Sequence, residues 1–360
     1  MRWLKGRDTV EFFKSQKRKI IAFLDVFLEE KKEDFSQVNF WGEDAILKLT
    51  PFIKNGKMLR SGFVCLGYTM CGRKVSSTVI PAAAAVEFLQ AALLIHDDII
   101  DRDNFRRGLP SLFYQYAQHG KEEGFSDPTH FGEGMGICLG DIAFFLAFEL
   151  FANLKCAKSV KEEIVRLWSR ELCYVGLAQM QDLYFGETRK QVAAEDILQL
   201  FHYKTARYSF SVPLKTGAIL GGAEKALLSG LEKCGHGLGL LFQLKDDELG
   251  LYGSEQEIGK PVGSDLRERK KTLHYHYLSE RASARDRARF DIICGNEDLS
   301  LDMVQEVRSM MAKYDVDRIV HQKMDELAEE IKKDIAGLDV PANSRSILHS
   351  LLEYSLKRSK

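Results

Sequence analysis

The sequence predicts an all-α fold, one large helical bundle around a central cavity, on three observations. The 360-residue chain carries only seven prolines. Apolar residues recur at i, i+3, i+4 and i+7 through Val10 to Glu30, Val160 to Phe185 and Leu299 to Ile335, the period of amphipathic helices. No convincing series of alternating apolar and polar residues, the mark of strands, accompanies them.

Taken in order, long helices are expected at 82–102, 140–154, 158–185, 224–252 and 298–336. The first begins in a run of small and apolar residues, Ala82 to Ile95, and ends in acids. The second is apolar but interrupted by Glu149, and the third sets Gln179 and Asp182 on an apolar stretch from Tyr174 to Phe185. The fourth passes through Gly235 to Leu241 into another acidic end, and the fifth shows the helical period throughout. Breakers separate them: Asn55-Gly56, Cys71-Gly72, Gly108-Leu109-Pro110, Ser126-Asp127-Pro128, Gly221-Gly222 and the region Gly253 to Gly263. That last region reads as a hinge or flap over a site, or as a plain surface turn. No linker or composition shift divides the chain, so a single domain over residues 1–360 is expected.

Hydrophobic residues make up 45% of the chain and the net charge is -1. No global field therefore draws it to nucleic acid or an anionic membrane, and anion binding must come from local clusters. The seven cysteines are odd in number and irregularly spaced, with no C-x-x-C. Most sit among apolar residues and read as buried free thiols, which points to a reducing, cytoplasmic location. The N-terminal Met1 to Asp8 has no apolar secretion segment. Apolar runs are broken by Glu87, Asp97 and Glu149, so no membrane span is expected.

The chemistry is concentrated in Asp97-Asp98-Ile99-Ile100-Asp101, followed by Arg106-Arg107-Gly108. On a helix Asp97 and Asp101 share one face and Asp98 is turned about 100° away. Asp97 and Asp101 can then share hard cations through oxygen, with Asp98 orienting them or a water. Three acids at a helix C-terminus oppose the dipole, a cost that a bound cation offsets. The adjacent arginines suit phosphate oxygens. A second acid cluster, Phe242-Gln243-Leu244-Lys245-Asp246-Asp247, also follows an apolar stretch. Here i+4 from Asp246 is Gly250, so one metal contact is expected through Asp246, with Asp247 in support. Asn55 to Arg60 places Lys57 and Arg60 three apart at a helix start, on one face, as an anion site. Lys204-Thr205 reads as a buried cation beside a hydroxyl, and Gly259 to Lys271 as a glycine loop rich in donors. Each of these, and the pair Gln179 and Asp182, is ordinary surface or core chemistry when taken alone. Their co-occurrence with two acid clusters is not.

In this order the motifs resemble the trans-isoprenyl diphosphate synthases, from about Lys54 to Thr272. The family's G-K-x-x-R is matched by Gly56 to Arg60, D-D-x-x-D with R-R-G by Asp97 to Gly108, and a Gly-Asp pair by Gly140-Asp141. Q-x-x-D is matched by Gln179 to Asp182, K-T by Lys204-Thr205, F-Q-x-x-D-D by Phe242 to Asp247, and the terminal G-K-P…S-D-L…K by Gly259 to Lys270. The resemblance implies the isoprenoid synthase fold and a magnesium-dependent condensation of isopentenyl diphosphate with an allylic diphosphate. Three magnesium ions, bound by Asp97, Asp98, Asp101, Asp246 and Asp247, would hold the allylic diphosphate with Arg106, Lys204 and Lys260. Lys57, Arg60, Gln90 and Arg107 would hold isopentenyl diphosphate. Thr205, Gln179 and Gln243 would present dipoles to the allylic cation. Asp182 and Lys270 would serve substrate binding, and the protein would be a homodimer. Asn55, Met58, Gly250 and Arg269 depart from common family residues without removing a core contact.

The fifth and fourth residues before Asp97 are Ala92 and Leu93, where short-product members often carry an aromatic residue. Small residues here leave the tunnel open to Phe88 or Leu89, about one 5.4 Å turn deeper. A product of about twenty carbons or more is expected. Two other readings remain: a terpene cyclase or lyase on the same fold, and a regulatory subunit of a heteromeric synthase. The intact second basic set speaks against the first, and the retained acids against the second.

Overall fold

The computed structural model describes residues 7–253 and 262–357; Gly259, Lys260 and the Arg358-Ser359-Lys360 tail lie outside the described residues. The described chain is helical apart from its turns and one two-residue ribbon, β1 (Phe105–Arg106) antiparallel to β2 (Leu109–Pro110). It falls into two compact units, one from residues 7–166 with 213–223, the other from 167–212 with the chain from 224 onward.

The first unit holds α1 (Arg7–Ser36), α2 (Phe40–Lys54), α3 (Leu59–Met70), α4 (Ile80–Ile100), α5 (Leu112–Glu122) and α6 (Pro128–Ala152). It also takes the start of α7 (Lys158–Glu187) and nearly all of α9 (Val212–Gly221). Its centre is α4, whose Ala82 to Ala85, Phe88, Leu89 and Ala92 are all within 1% of complete burial. Full burial of Phe88 or Leu89 contributes roughly 1.5–3 kcal/mol each. α6 begins twelve residues before its expected start at 140. Asp127 caps it by accepting the His130 N–H at 3.0 Å, with Pro128 in the first turn. Gly132, Gly136 and Gly140 do not break it, because neighbouring helices press on them: a Cβ on Gly140 would lie 2.2 Å from His96 Nε2 of α4. Among the described residues α6 is the one helix long and apolar enough to cross a membrane, by length and composition.

The second unit holds the rest of α7, α8 (Ala194–Phe201), a π-helix over His202–Ser211, α10 (Lys225–Tyr252) and α11 (Ser264–Arg267). It closes with α12 (Leu273–Arg281), α13 (Ala284–Ile293), α14 (Leu301–Lys313), α15 (Val316–Gly337) and α16 (Ala342–Lys357). The single helix expected at 298–336 is two helices. Tyr314 ends the first, and Asp315, at φ 58°, starts the second. Tertiary contacts override the continuous apolar period: Tyr314 donates its hydroxyl to Asp286 at 2.7 Å, and its carbonyl accepts from Arg281 at 2.9 Å.

Cys65, Cys234 and Cys294 are buried free thiols pushed up to about 12 by burial. Cys138 and Cys173, by contrast, are exposed on α6 and α7. Burial holds the His274 imidazole down at about 4, against the pull of Asp317 and Glu248. Between pH 6.5, its ordinary value, and 4 the unfolded chain takes a proton there that the folded chain refuses. This residue's contribution therefore falls as pH drops through that window. Urea midpoints measured from pH 7 to 4 should change less steeply with pH in His274→Gln than in the natural protein.

Candidate active site

The first acid cluster lies in the last turn of α4. Asp101 is the C-cap, its N–H bonded to Asp97 O at 2.8 Å. Arg102, left-handed at φ 54°, closes the helix, and Asp103 N–H reaches back to Asp98 O at 2.8 Å. The period separates the acids as expected: Asp97 keeps 27% of its side chain exposed, whereas Asp98 keeps 1%. Burial pushes the Asp98 carboxyl up to about 7, opposed by Arg106. Its Oδ2 is buried without a hydrogen-bond partner.

Arg106-Arg107-Gly108 forms the bend of the ribbon. Arg107 and Gly108 both have positive φ, 55° and 75°, the geometry of a two-residue hairpin turn. The turn parts the two arginines. Arg106 folds back on α4, bonded to Asp98 and, at 3.1 Å, to Asp97, with Asp103 at 4.0 Å. Arg107 reaches the loop ahead of α3 instead: a Cβ on Gly56 would lie 3.5 Å from Arg107 Nη1 and 3.7 Å from Glu87 Oε2.

That loop differs from the expected basic helix face. α3 starts at Leu59, after Met58 in the left-handed region at φ 54°. Arg60 is therefore in the first turn of α3, whereas Lys57 is exposed before the helix, and no i, i+3 relation joins them. Lys17 of α1 pins the loop by donating to Gly56 O at 2.7 Å. Beneath it Glu87 of α4, 6% exposed, accepts the Ser61 N–H at 3.1 Å. Gln90, one turn on, is buried, with its Oε1 unpartnered. No sequence motif marks Glu87 or Lys17 as part of a site; the one signal is a carboxylate, Glu87, inside the apolar run from Ala82 to Ile95.

In the second unit the π-helix carries Lys204 and Thr205. Such winding is rare and concentrates at functional sites. Lys204, half-buried, pairs with Asp182 of α7. Thr205 Oγ1 donates to Gln243 Oε1 at 2.9 Å, and Gln243 Nε2 donates to Asp247 Oδ1 at 2.8 Å. Five of the expected residues thus form two short chains. Gln179 stands apart, its Nε2 buried without a partner. Asp246 is exposed on α10, and Asp247 is buried with its Oδ2 unpartnered. Burial, with Asp265 and Asp246 nearby, raises the Asp247 carboxyl well above the ordinary range. Gly250 has a physical reason: a Cβ there would meet Asp265 Oδ2 at 2.6 Å. The space a side chain at position 250 would need is occupied by Asp265 of α11. Lys270 pairs with Glu268 at 2.6 Å and lies 3.9 Å from Asp265.

Among the described residues no three acidic, histidine or cysteine side chains converge as a metal cage. Carboxylates offered one or two at a time suit magnesium, which keeps waters and takes its remaining ligands from substrate phosphates.

The polyprenyl synthetase family profile matches residues 47–311. The chain belongs to this family. It is a prenyltransferase with the all-α isoprenoid synthase fold. It is 31% identical over 304 residues to a short chain isoprenyl diphosphate synthase of Methanothermobacter thermautotrophicus, covering 84% of this chain and 86% of that one. A geranylgeranyl diphosphate synthase of Sulfolobus acidocaldarius is 28% identical, covering 86% and 89%. Among solved structures, geranylgeranyl pyrophosphate synthase from Corynebacterium glutamicum, complexed with isoprenyl diphosphate and magnesium, superposes with TM-score 0.88 at 28% identity, covering 97% and 99%. The acid clusters, ribbon turn and π-helix described above are thus features of a polyprenyl synthetase.

Proposed function

We propose that this prenyltransferase condenses isopentenyl diphosphate with an allylic diphosphate, giving a trans-polyprenyl diphosphate of about twenty carbons or more. One observation carries the reading. The ribbon turn sends Arg106 to the acids and Arg107 to a separate basic corner with Arg60 and Lys17 around Glu87. Two anion sites are what a condensation of two diphosphates requires; a cyclase uses one. Relatives named for geranylgeranyl diphosphate support the product range.

Asp97, Asp98 and Asp101, with Asp246 and Asp247, would hold magnesium, three ions with substrate present, which neutralises charge on the leaving diphosphate. Arg106 and Lys204 exchange their carboxylate partners for phosphate oxygens. Lys57, Arg60, Gln90 and Arg107 orient isopentenyl diphosphate. Thr205, Gln179 and Gln243 turn oxygen dipoles to the allylic cation, while Asp182, which pairs with Lys204, and Lys270 serve substrate binding. The C–O bond of the allylic diphosphate breaks, the new C–C bond forms, and one proton leaves to the departing diphosphate. Lys260 belongs to the same reading on its motif alone.

The same proposal takes the chain as one working domain, a cytoplasmic homodimer. Exposed Ile137 and Phe145 on α6, and Leu177, Met180 and Tyr184 on α7, support a protein partner. Asp141 and Glu149 on α6, the latter paired with Lys31 at 2.6 Å, speak for that use over a membrane span.

The test is incubation with magnesium, labelled isopentenyl diphosphate and allylic starters of increasing length, then chromatography of the products. Labelled prenyl diphosphates support the proposal. A hydrocarbon without label indicates a cyclase, and no product indicates a subunit needing a partner. Ala92 is fully buried and Leu93 half-buried, while Phe88 packs edge-on against Phe27 of α1, ring centroids 5.7 Å apart. Ala92→Phe should shorten the main product, at an overpacking cost of about 1–3 kcal/mol. An unchanged product length would show that the chain does not pass this residue.

A further inference from the structure

Glu87 is a carboxylate in a place that demands a reason. It is 6% exposed, in the middle of α4, and burial raises its pKa. A buried charge is expensive unless paired and hydrogen-bonded. Its charge acts on three other elements of the first unit. Arg60 of α3 and Arg107 of the ribbon turn both stabilise its charge. Lys17 of α1 feels it in turn while donating to the Gly56 carbonyl at 2.7 Å.

Glu87 also completes the start of α3. The N-cap residue Met58 is left-handed and makes no side-chain cap bond. Glu87 Oε1 accepts the Ser61 N–H at 3.1 Å instead, satisfying a donor that a helix N-terminus otherwise leaves open. One carboxylate therefore fixes the direction of the first turn, on which Arg60 stands, and offsets the repulsion among three neighbouring cations.

We propose that Glu87 is a positioning residue for the isopentenyl diphosphate site: a resident counter-ion that keeps Arg60 and Arg107 aligned before the diphosphate arrives. The proposal rests on the reading above that those two residues bind this substrate. Alignment in advance lowers the ordering cost of binding. Glu87 makes no claim on the allylic substrate, because Arg106 is held separately by Asp97 and Asp98.

The test uses Glu87→Gln in the full-length protein, with isopentenyl diphosphate affinity measured by calorimetry and KM measured for each substrate. A glutamine oxygen still accepts from Ser61, so the fold is kept and only the charge is lost. The expected result is about tenfold weaker isopentenyl diphosphate binding, about 1.4 kcal/mol. The allylic KM should stay within about twofold, and the melting temperature should be close to that of the natural protein. Glu87→Ala, which also removes the cap, should add a fall in melting temperature. Unchanged isopentenyl diphosphate affinity in Glu87→Gln would overturn the proposal. So would an equal weakening for both substrates, which marks a merely structural role. If the natural protein itself fails to bind isopentenyl diphosphate, the underlying functional reading fails instead.

Discussion

Asp97→Ala is expected to lower turnover by about 10²–10³-fold or more, the scale of losing one electrostatic contact to a leaving group. The fold should be unaffected. Asp97 is partly exposed at the last turn of α4, where acids oppose the helix dipole, so its removal costs the apo-protein little. Arg106 keeps its bond to the buried Asp98. The apparent magnesium requirement should rise with the loss of turnover, and the thermal unfolding curve should nearly overlay that of the natural protein. Unchanged turnover at saturating magnesium would remove Asp97 from the site.

Glu171→Ala is expected to have the largest effect on stability, about 3–5 kcal/mol. Glu171 on α7 is completely buried. It accepts from Arg207 of the π-helix at 3.0 Å and 3.1 Å through Nε and at 3.0 Å through Nη2. Glu232 of α10 takes Nη1 at 2.9 Å. The guanidinium carbon lies 5.7 Å from the Tyr174 ring centroid and 6.0 Å from that of Tyr203. Deleting Glu171 leaves a largely buried cation with its partner only on the more exposed side. Arg207 stands three residues from Lys204 and two from Thr205 in the π-helix, so activity should fall along with stability. Urea unfolding measures the first. A change within about 0.5 kcal/mol, the range of an ordinary surface substitution, would contradict this account.

The sequence made visible what depends on local spacing. The 3.6-residue period alone separates Asp97 from Asp98, and it locates α4, α7 and α10 closely. What it concealed depends on contacts between distant segments. Nothing local distinguishes the π-helix over His202–Ser211 from the α-helices on either side of it. The break at Tyr314-Asp315 is made by Asp286 and Arg281, about thirty residues away, and the apolar period runs straight across it. Lys57 and Arg60 looked like neighbours on one helix face, but Met58 in the left-handed region parts them. Arg106 and Arg107 looked alike, but a two-residue turn sends them to different partners. Gly250 looked like a lost acid, yet Asp265 occupies the space its side chain would need.

The central claim is chain elongation, and a stoichiometry tests it most directly. In one reaction with magnesium and an allylic starter, isopentenyl diphosphate consumed and inorganic diphosphate released are measured together. Each condensation uses one and frees one, so the account predicts equal amounts at every time point. Diphosphate released without consumption of isopentenyl diphosphate would contradict it.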